Sequence, residues 1–213
     1  MHMPKRFFVT GTDTGIGKTI ASALLCCALD ATYWKPIQTG SQEGTDRSTV
    51  IQIAGRPRNR TVREAYCFSP PVSPALAARR AGASINISKI VSAMSSIRGN
   101  LIVEGAGGVL VPVSESSLMI DLMQALGLPV LLVARTSLGT INHTLLSIAA
   151  LRAAALEIRG VIMVGRPDLE NRRAIEKFGK VRVVGTIPLL NKINRPALMD
   201  AFRRGFGRGP FEI

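Results

Sequence analysis

The chain has 213 residues and is 46% hydrophobic, and its 27 Lys and Arg residues against 14 Asp and Glu residues give a formal net charge of +13. This hydrophobic content excludes intrinsic disorder, and no apolar run reaches the roughly 20 residues that span a bilayer. Strand-like residues follow the basic start, so we expect no signal peptide, no membrane partner and a cytoplasmic protein. No linker-like stretch interrupts the sequence, so we expect one domain covering residues 1–213.

The basic residues are scattered along the chain, and most of them are arginine. Their densest stretches are residues 56–63 and 203–208. Net charge alone reports on solubility and on the steering of ligands rather than on a specific partner. Attraction of anionic nucleotides accounts for the charge, and we expect no nucleic acid partner.

The cysteines and histidines offer little material for a metal site. Cys26, Cys27 and Cys67 form no CxxC pair and no Cys/His cluster, so we predict buried apolar residues in a reducing compartment rather than zinc ligands. His143 is the only internal histidine, which leaves a histidine-based metal site or catalytic triad without a second member.

Hydrophobic segments and turn residues predict strands and helices that alternate along the chain. Residues 7–10 indicate a buried strand, which a Gly-rich turn joins to an apolar helix over residues 18–29. Strands are further predicted for residues 32–36, 101–104, 130–134, 160–164 and 181–187, and helices for residues 48–54, 74–81, 87–94, 118–126, 140–155, 169–178 and 196–203. Residues 38–46 are a predicted loop, residues 105–108 are a predicted turn, and Gly and Pro leave residues 55–73 unassigned.

This alternation predicts the fold class. Strands alternating with helices are typical of a parallel sheet with helices on both faces. The almost purely apolar run at residues 130–134 is typical of a central strand in such a sheet. The sequence therefore predicts an α/β fold with a mostly parallel central sheet.

The strongest motif is GTDTGIGKT at residues 11–19, between the first predicted strand and the first long helix. This order of strand, Gly-rich loop and helix is that of a phosphate-binding P-loop. Backbone N–H groups at the helix N-terminus bind phosphate oxygens, and Gly15 and Gly17 allow the backbone to approach closely. Lys18 can reach the β- and γ-phosphates, and the Thr19 hydroxyl can bind Mg²⁺. We therefore predict a single-domain P-loop fold that binds a nucleoside triphosphate with Mg²⁺.

The P-loop does not identify the reaction, because kinases, GTPases, partition ATPases and ligases share it. Three further segments follow it, namely WKPIQTG at residues 34–40, VEGAGG at residues 103–108 and LGTINH at residues 138–143. Together with the P-loop, these segments resemble the dethiobiotin synthetase family in order and spacing. The similarity runs from about residue 6 to about residue 190.

The resemblance implies an ATP-dependent cyclo-ligase that converts 7,8-diaminopelargonate, CO₂ and ATP into dethiobiotin, ADP and phosphate. One amine takes up CO₂ as a carbamate, and a carbamate oxygen attacks the γ-phosphate to give a carbamic–phosphoric anhydride. The second amine then displaces phosphate and closes the ureido ring. The resemblance also implies a homodimer with the substrate site near the interface, because in the family the segment matching residues 138–143 reaches into the partner's site.

The resemblance further implies a role for each matched residue. The expected catalytic residues are Lys35 and Lys18, and the expected Mg²⁺ ligands are Thr19, Asp46 and Glu104. The expected substrate-binding residues are Thr39, Lys35, Gly107, Thr140, Ile141 and Asn142. The expected nucleotide-binding residues are Thr14, Gly15, Ile16, Gly17, Lys18, Thr19, Ile20, Asp46, Glu104, Gly105, Ala106, Gly107, Gly165, Pro188, Leu189 and Leu190.

The residues themselves leave simpler alternatives open. Lys35 follows a strand, so it can project from the carboxyl edge of the sheet, or it can be an ordinary solvated lysine. Glu104 ends a strongly apolar strand, where it needs a cation or hydrogen-bond donors unless solvent reaches it. Asp46 can instead cap a helix before Ser48, and Thr140 can cap the helix that it begins.

Two departures from the family pattern concern the nucleotide. The first P-loop glycine is Gly11, whereas the strict pattern places it where this chain has Thr12. Many family members carry an adenine-reading asparagine after the strand that here ends near Gly165, and this chain has none there. We therefore expect weak discrimination between ATP and other nucleoside triphosphates. Residues 188–190 either pack on the base or are a core strand that runs into a loop.

Other functions remain open from the sequence. A partition ATPase usually has a second lysine near the start of the P-loop, and residues 12–14 contain none. An amidotransferase-type ligase needs a glutaminase domain, for which 213 residues leave no room. A gel-shift measurement distinguishes a nucleic-acid-binding protein that uses ATP as a switch, and fixation of ¹⁴C-bicarbonate distinguishes the ligase from a small-molecule kinase.

Overall fold

The computed structural model describes residues 5–55, 57–207 and 211. Its strands are β1 (Arg6–Gly11), β2 (Thr32–Trp34), β3 (Ile37–Gln38), β4 (Thr61–Val62), β5 (Tyr66–Cys67), β6 (Leu101–Gly108), β7 (Val130–Arg135), β8 (Ile158–Val164) and β9 (Val183–Ile187). Its helices are α1 (Lys18–Ala28), α2 (Asp46–Ala54), α3 (Pro74–Arg80), α4 (Ile87–Ser95), α5 (Met119–Leu126), α6 (Thr140–Ala153), α7 (Leu169–Gly179) and α8 (Arg195–Gly205).

Seven strands form one sheet in the order β4-β2-β6-β1-β7-β8-β9, and each neighbouring pair in it is parallel. This arrangement confirms the predicted α/β fold with a parallel central sheet. The carboxyl ends of β1, β2 and β6 therefore meet at one edge, where ligands bind in open α/β sheets. The prediction that residues 1–213 form one domain stays a prediction.

The central strands bury both faces of the sheet because successive side chains point to opposite sides. In β1, Phe8 packs in a core with α3, α4, α5, α6 and α7, whereas Phe7 and Val9 pack in a second core with α1, α2 and α8. In β6, Val103 joins the first core and Ile102 joins the second. Helices thus cover both faces, as the apolar strands predict.

Strand β6 is longer than predicted, because it continues through the glycines that were expected to form a turn. Glu104 pairs with Val9 of β1, and after a register shift Gly108 pairs with Gly11. A Cβ atom on Gly105 would lie 2.9 Å from Cε1 of Phe8, so the missing side chain allows this close passage. The strand carries its backbone past Glu104 and alongside the P-loop.

The segment left unassigned in the sequence contains two short strands. Strand β4 adds to the edge of the main sheet beside β2, and β5 pairs in parallel with β3 in a separate two-stranded sheet. The predicted strand over residues 32–36 ends at Trp34 instead, and Pro36 separates it from β3. Since proline has no N–H to donate, it interrupts the ladder between these two pairings.

Two smaller expectations also need correction. Helix α2 begins at Asp46 rather than at residue 48, because Thr45 forms a reciprocal capping pair with Ser48. Cys67 is exposed, whereas Cys26 and Cys27 are buried as predicted.

Asn86 caps α4, the helix predicted over residues 87–94, by accepting a hydrogen bond from the Lys89 N–H at 3.3 Å. Within the described residues, the helices are all too short or too polar to cross a membrane.

Candidate functional site

A cavity of about 510 Å³ opens at the carboxyl edge of β1, β2 and β6. Its lining residues are Thr14, Gly15, Gly17, Lys18, Thr19, Lys35, Thr39, Asp46, Pro71, Val72, Ser73, Pro74, Glu104, Ala106, Gly107 and Val111. The P-loop follows β1, Lys35 follows β2 and Glu104 lies in β6. The parallel sheet thus brings three distant parts of the sequence to a single edge.

Glycine backbone conformation and packing shape the P-loop. Gly15 and Gly17 have φ angles of +71° and +96°, which favour glycine. A Cβ atom on Gly17, the N-cap of α1, would lie 2.8 Å from Cγ1 of Val164 at the end of β8. The start of α1 therefore sits directly against the end of β8.

Lys18 closes the P-loop on itself. Its Nζ donates a hydrogen bond of 2.7 Å to the carbonyl oxygen of Asp13, and only 7% of the residue is exposed. Burial lowers the pKa of Lys18 to about 8; the nearby Lys35 ammonium adds to this shift, and the Glu104 carboxylate partly opposes it. The Asp13 carboxylate also pairs with Arg135 at 2.8 Å, although both side chains are substantially exposed.

Four polar side chains converge at the base of the cavity. The Lys35 Nζ lies 2.5 Å from Oδ2 of Asp46 and 3.3 Å from Oε1 of Glu104. The Thr19 Oγ1 lies 2.6 Å from Oδ1 of Asp46 and 2.9 Å from Oε1 of Glu104. One ammonium, one hydroxyl and two carboxylates thus form a compact polar cluster.

The sheet and α2 hold these groups in place. Asp46 is the first residue of α2, and its N–H donates to Oε1 of Gln38 at 3.1 Å. Because Thr45 provides the cap of that helix, the Asp46 carboxylate is free to face Lys35 and Thr19. The alternative of Asp46 as a helix cap is therefore wrong.

The electrostatics of the cluster keep it charged. Burial alone would lower the pKa of Lys35, but the carboxylates of Glu104 and Asp46 outweigh it and raise that pKa above 10.5. Burial alone would raise the pKa of Asp46, but the Lys35 ammonium and the hydrogen bonds from Lys35, Thr19 and Gln38 lower it below 3.8. Lys35 is 7% exposed and Glu104 is 1% exposed, so neither is the solvated surface residue that the sequence left open.

Sequence reasoning missed Tyr33, which is fully buried and donates a hydrogen bond of 3.1 Å to Oε2 of Glu104. The alternation of side chains along a strand could have identified Tyr33 as a neighbour of the site. Tyr33 lies two residues before Lys35, so both side chains project to the same face of the sheet. Ile102 and Glu104 occupy that face on the neighbouring strand β6.

Other predicted site residues lie outside the cavity. Thr140 is the first residue of α6, and Gly139, not Thr140, is the N-cap. The Thr140 hydroxyl instead donates to the carbonyl oxygen of Arg135 at 2.5 Å. Gly165 ends β8, where its N–H donates to the carbonyl oxygen of Ile187 at 2.9 Å. The residues that do not line the cavity are Ile16, Ile20, Gly105, Thr140, Ile141, Asn142, Gly165, Pro188, Leu189 and Leu190.

Gly165 nevertheless lies near the P-loop, because it follows Val164 at the end of β8, and Pro188 lies at the same edge of the sheet at the end of β9. Val164 touches Gly17, which places the end of β8 beside the start of α1. Strand β9 ends at the buried Ile187, and residues 188–190 follow it outside any strand, so the alternative of a core strand that runs into a loop describes this segment. In that loop Leu189 is 68% exposed and Leu190 packs against the second core.

The oxygen donors suit Mg²⁺ rather than a metal that prefers nitrogen or sulfur. Within the described ranges, no group of three or more His, Cys, Asp and Glu side chains could hold a metal ion by itself. Two carboxylates and the Thr19 hydroxyl do converge, and Mg²⁺ commonly binds through one or two carboxylates completed by phosphate and water oxygens. The set therefore fits Mg²⁺ bound together with a nucleotide.

Comparisons with known proteins agree with this geometry. A family model described as an AAA domain matches residues 5–197. An ATP-dependent dethiobiotin synthetase BioD from Rhodopseudomonas palustris (strain BisB5) is 46% identical over 98% of this chain and 98% of its own length. One from Agrobacterium fabrum is 44% identical with the same coverage of both chains.

Solved structures agree at the level of the fold. A ParA family ATPase from Chlorobium tepidum has a TM-score of 0.56 at 13% identity, covering 92% of this chain and 97% of its own. So low an identity shows the fold alone, whereas the curated relatives match almost end to end. The chain belongs to the ATP-dependent dethiobiotin synthetase family.

Proposed function

We propose that the protein is an ATP-dependent cyclo-ligase that joins CO₂ to 7,8-diaminopelargonate and closes the ureido ring of dethiobiotin, releasing ADP and phosphate. One observation distinguishes this ligase from a protein that only binds a nucleotide. The Lys35 ammonium lies 2.5 Å from Asp46 at the base of the cavity that the P-loop opens. A second fixed cation beside the P-loop lysine is what a reaction between two anions, carbamate and triphosphate, requires.

Lys18 and Lys35 have different roles in this proposal. Lys18 binds the β- and γ-phosphates once its Nζ leaves the carbonyl oxygen of Asp13. Lys35 stabilises the charge on the carbamate and on the transferring phosphoryl group, because it is fixed in a site with little solvent. A carbamate oxygen forms the new bond to phosphorus, and the bond to ADP breaks.

Thr19, Asp46 and Glu104 are the proposed Mg²⁺ ligands, and their converging oxygens support this role. When bound, Mg²⁺ neutralises charge on the phosphates during transfer. The three side chains hold the metal position relative to Lys35, which contacts the same two carboxylates.

The other site residues have proposed roles in binding. Thr39 and Gly107 line the cavity and are proposed to bind the diamine end of the substrate. The remaining P-loop residues and β6 residues are proposed to surround the phosphates. Gly165 and residues 188–190 are proposed to lie along the base, since β8 ends beside the P-loop and β9 is the neighbouring strand.

We further propose a homodimer in which α6 of one protomer completes the cavity of the other. The N–H groups of Thr140, Ile141 and Asn142 open α6 and are proposed to bind the carboxylate at the substrate tail. Leu138, two residues before α6, is fully exposed, and Leu146 on α6 is 63% exposed; these exposed leucines favour burial against a second copy. Sedimentation equilibrium tests the dimer, and a monomer at micromolar concentration would contradict it.

The test of the reaction combines the protein with 7,8-diaminopelargonate, ¹⁴C-bicarbonate and MgATP. We expect an acid-stable labelled product with the mass of dethiobiotin, formed together with ADP. Omission of the diamine provides the control. ADP formation without carbon fixation would identify a kinase or a simple ATPase and overturn the proposal.

A further inference from the structure

Tyr33 does not line the cavity, but it hydrogen-bonds to Glu104, which does. Its phenol oxygen lies 3.1 Å from Oε2 of Glu104, and the residue is fully buried. A carboxylate oxygen accepts and a phenol O–H donates, so Tyr33 is the donor of this hydrogen bond.

The two carboxylate oxygens of Glu104 have separate partners. Oε1 lies 2.9 Å from Thr19 Oγ1 and 3.3 Å from Lys35 Nζ, so it faces the cation side of the site. Oε2 accepts only from Tyr33 among the described residues. Rotation about the last side-chain bond of a glutamate is soft, so a fixed donor on one oxygen decides where the other one points.

We propose that Tyr33 is a positioning residue that holds Glu104 with Oε1 directed at the Mg²⁺ position. The inference rests on the proposed role of Glu104 as a metal ligand. Groups that hydrogen-bond a metal ligand orient it, and their loss typically weakens metal affinity by about 10- to 100-fold. Tyr33 acts through Glu104 and does not touch the reacting atoms.

The competing explanation is that Tyr33 only fills the core, where its ring packs with Val50, Leu24 and other apolar side chains. The hydroxyl distinguishes the two explanations, because Tyr33→Phe keeps the ring and removes only the donor. The chain has two tyrosines, and the other one provides a matched control. Tyr66 also makes one hydrogen bond through its hydroxyl, at 3.0 Å from the Asn86 N–H, but it does not line the cavity.

The experiment titrates Mg²⁺ by calorimetry into protein saturated with a non-hydrolysable ATP analogue. We expect Tyr33→Phe to weaken Mg²⁺ binding roughly tenfold, with Tyr66→Phe within about twofold of wild type. Affinity for the analogue in EDTA should be the same in all three proteins. The assay contains no diaminopelargonate, so its result is separate from a success or failure of the ligase assay.

Two outcomes would overturn the inference. Unchanged Mg²⁺ affinity in Tyr33→Phe would mean that the hydroxyl does not position Glu104. An equal loss of metal-free nucleotide affinity would mean that the substitution loosens the P-loop as a whole, which is a structural effect only.

Discussion

The Lys35 ammonium nitrogen lies 2.5 Å from Oδ2 of Asp46, and both belong to the polar cluster at the base of the cavity. Side-chain exposure is 8% for Lys35 and 27% for Asp46. This lysine therefore balances charge on the two carboxylates of the site, both of which it contacts. Its charge has a structural effect as well as the proposed catalytic one.

We predict that Lys35→Ala loses turnover by about 10²- to 10³-fold, because a fixed charge beside the transferring group is removed. Binding of MgATP should remain. In EDTA the variant should also lose roughly 3 kcal/mol of unfolding free energy, since two carboxylates are left without their cation. Steady-state kinetics and urea denaturation measure the two effects.

Mg²⁺ with nucleotide should restore part of the stability lost in Lys35→Ala, because it supplies a replacement cation. Lys89→Ala is the matched control, since Lys89 is an exposed lysine whose ammonium lies over the Tyr66 ring, outside the cavity. Wild-type turnover in Lys35→Ala would show that the proposed role of that ammonium is wrong.

A second prediction concerns the hydroxyl that lies between the two carboxylates. Thr19→Val keeps the shape of the side chain and removes Oγ1, which lies 2.6 Å from Asp46 and 2.9 Å from Glu104. We expect the Mg²⁺ concentration for half-maximal activity to rise at least tenfold. Thr19→Ser retains the hydroxyl and should stay within about threefold of wild type. Equal Mg²⁺ requirements in the two variants would rule out the hydroxyl as a ligand.

The sequence predicted the overall fold well because its strongest signals are local. The apolar run of β7 and the Gly-rich turn before α1 each identify an element without reference to the rest of the chain. The full length of β6 could not be predicted in this way. Its glycines are common in turns, but the strand continues past them here because Gly105 passes against Phe8 and Gly108 pairs with Gly11. Only Gly107, with a φ of +70°, keeps the left-handed backbone of a turn within this glycine run.

The sequence could predict those residues of the candidate site that belong to a recognisable motif and also lie at the end of a strand. Lys35 and Glu104 each follow or end a strand, and parallel strands bring such positions together. The role of Asp46 depended on whether it caps the following helix, which sequence reasoning left open; the structure gives the cap to Thr45. Tyr33 was missed because an aromatic residue in a strand is usually part of the core, and its hydroxyl partner lies 71 residues away.

The lowered pKa of Lys18 predicts a pH dependence of ATP binding. In the free protein this lysine loses its proton near pH 8, whereas bound phosphates favour the charged form. Binding above pH 8 must therefore take up a proton, and affinity should fall as pH rises from 8, by up to about tenfold per pH unit. Calorimetry at pH 8.5 in buffers of different ionisation enthalpy should detect this uptake.

Lys18→Arg tests the assignment of that proton, because a guanidinium stays charged throughout this pH range. Whatever its affinity for ATP, the variant should show no buffer-dependent enthalpy at pH 8.5. The same proton uptake in Lys18→Arg and in wild type would assign the titration to another group.

Base selectivity is the last prediction, and it depends on what is absent beside β8. Gly165 has no side chain that could hydrogen-bond a base, so only packing is left to discriminate there. Packing alone provides up to roughly a hundredfold discrimination, so we expect kcat/KM for ATP to exceed that for CTP or GTP by less than about a hundredfold. A preference for ATP above a hundredfold in steady-state competition would contradict this.

An asparagine cannot simply be restored at this position. Gly165 has a φ of +136°, and a Cβ atom there would lie 2.2 Å from Oγ1 of Thr136. Gly165→Asn should therefore lower the unfolding free energy by about 1–3 kcal/mol through backbone strain and this contact. Adding Thr136→Ala removes the contact but not the strained φ, so the double variant should recover only part of the loss in a urea titration. Full recovery would show that the clash alone, and not the backbone, excludes a side chain beside the base.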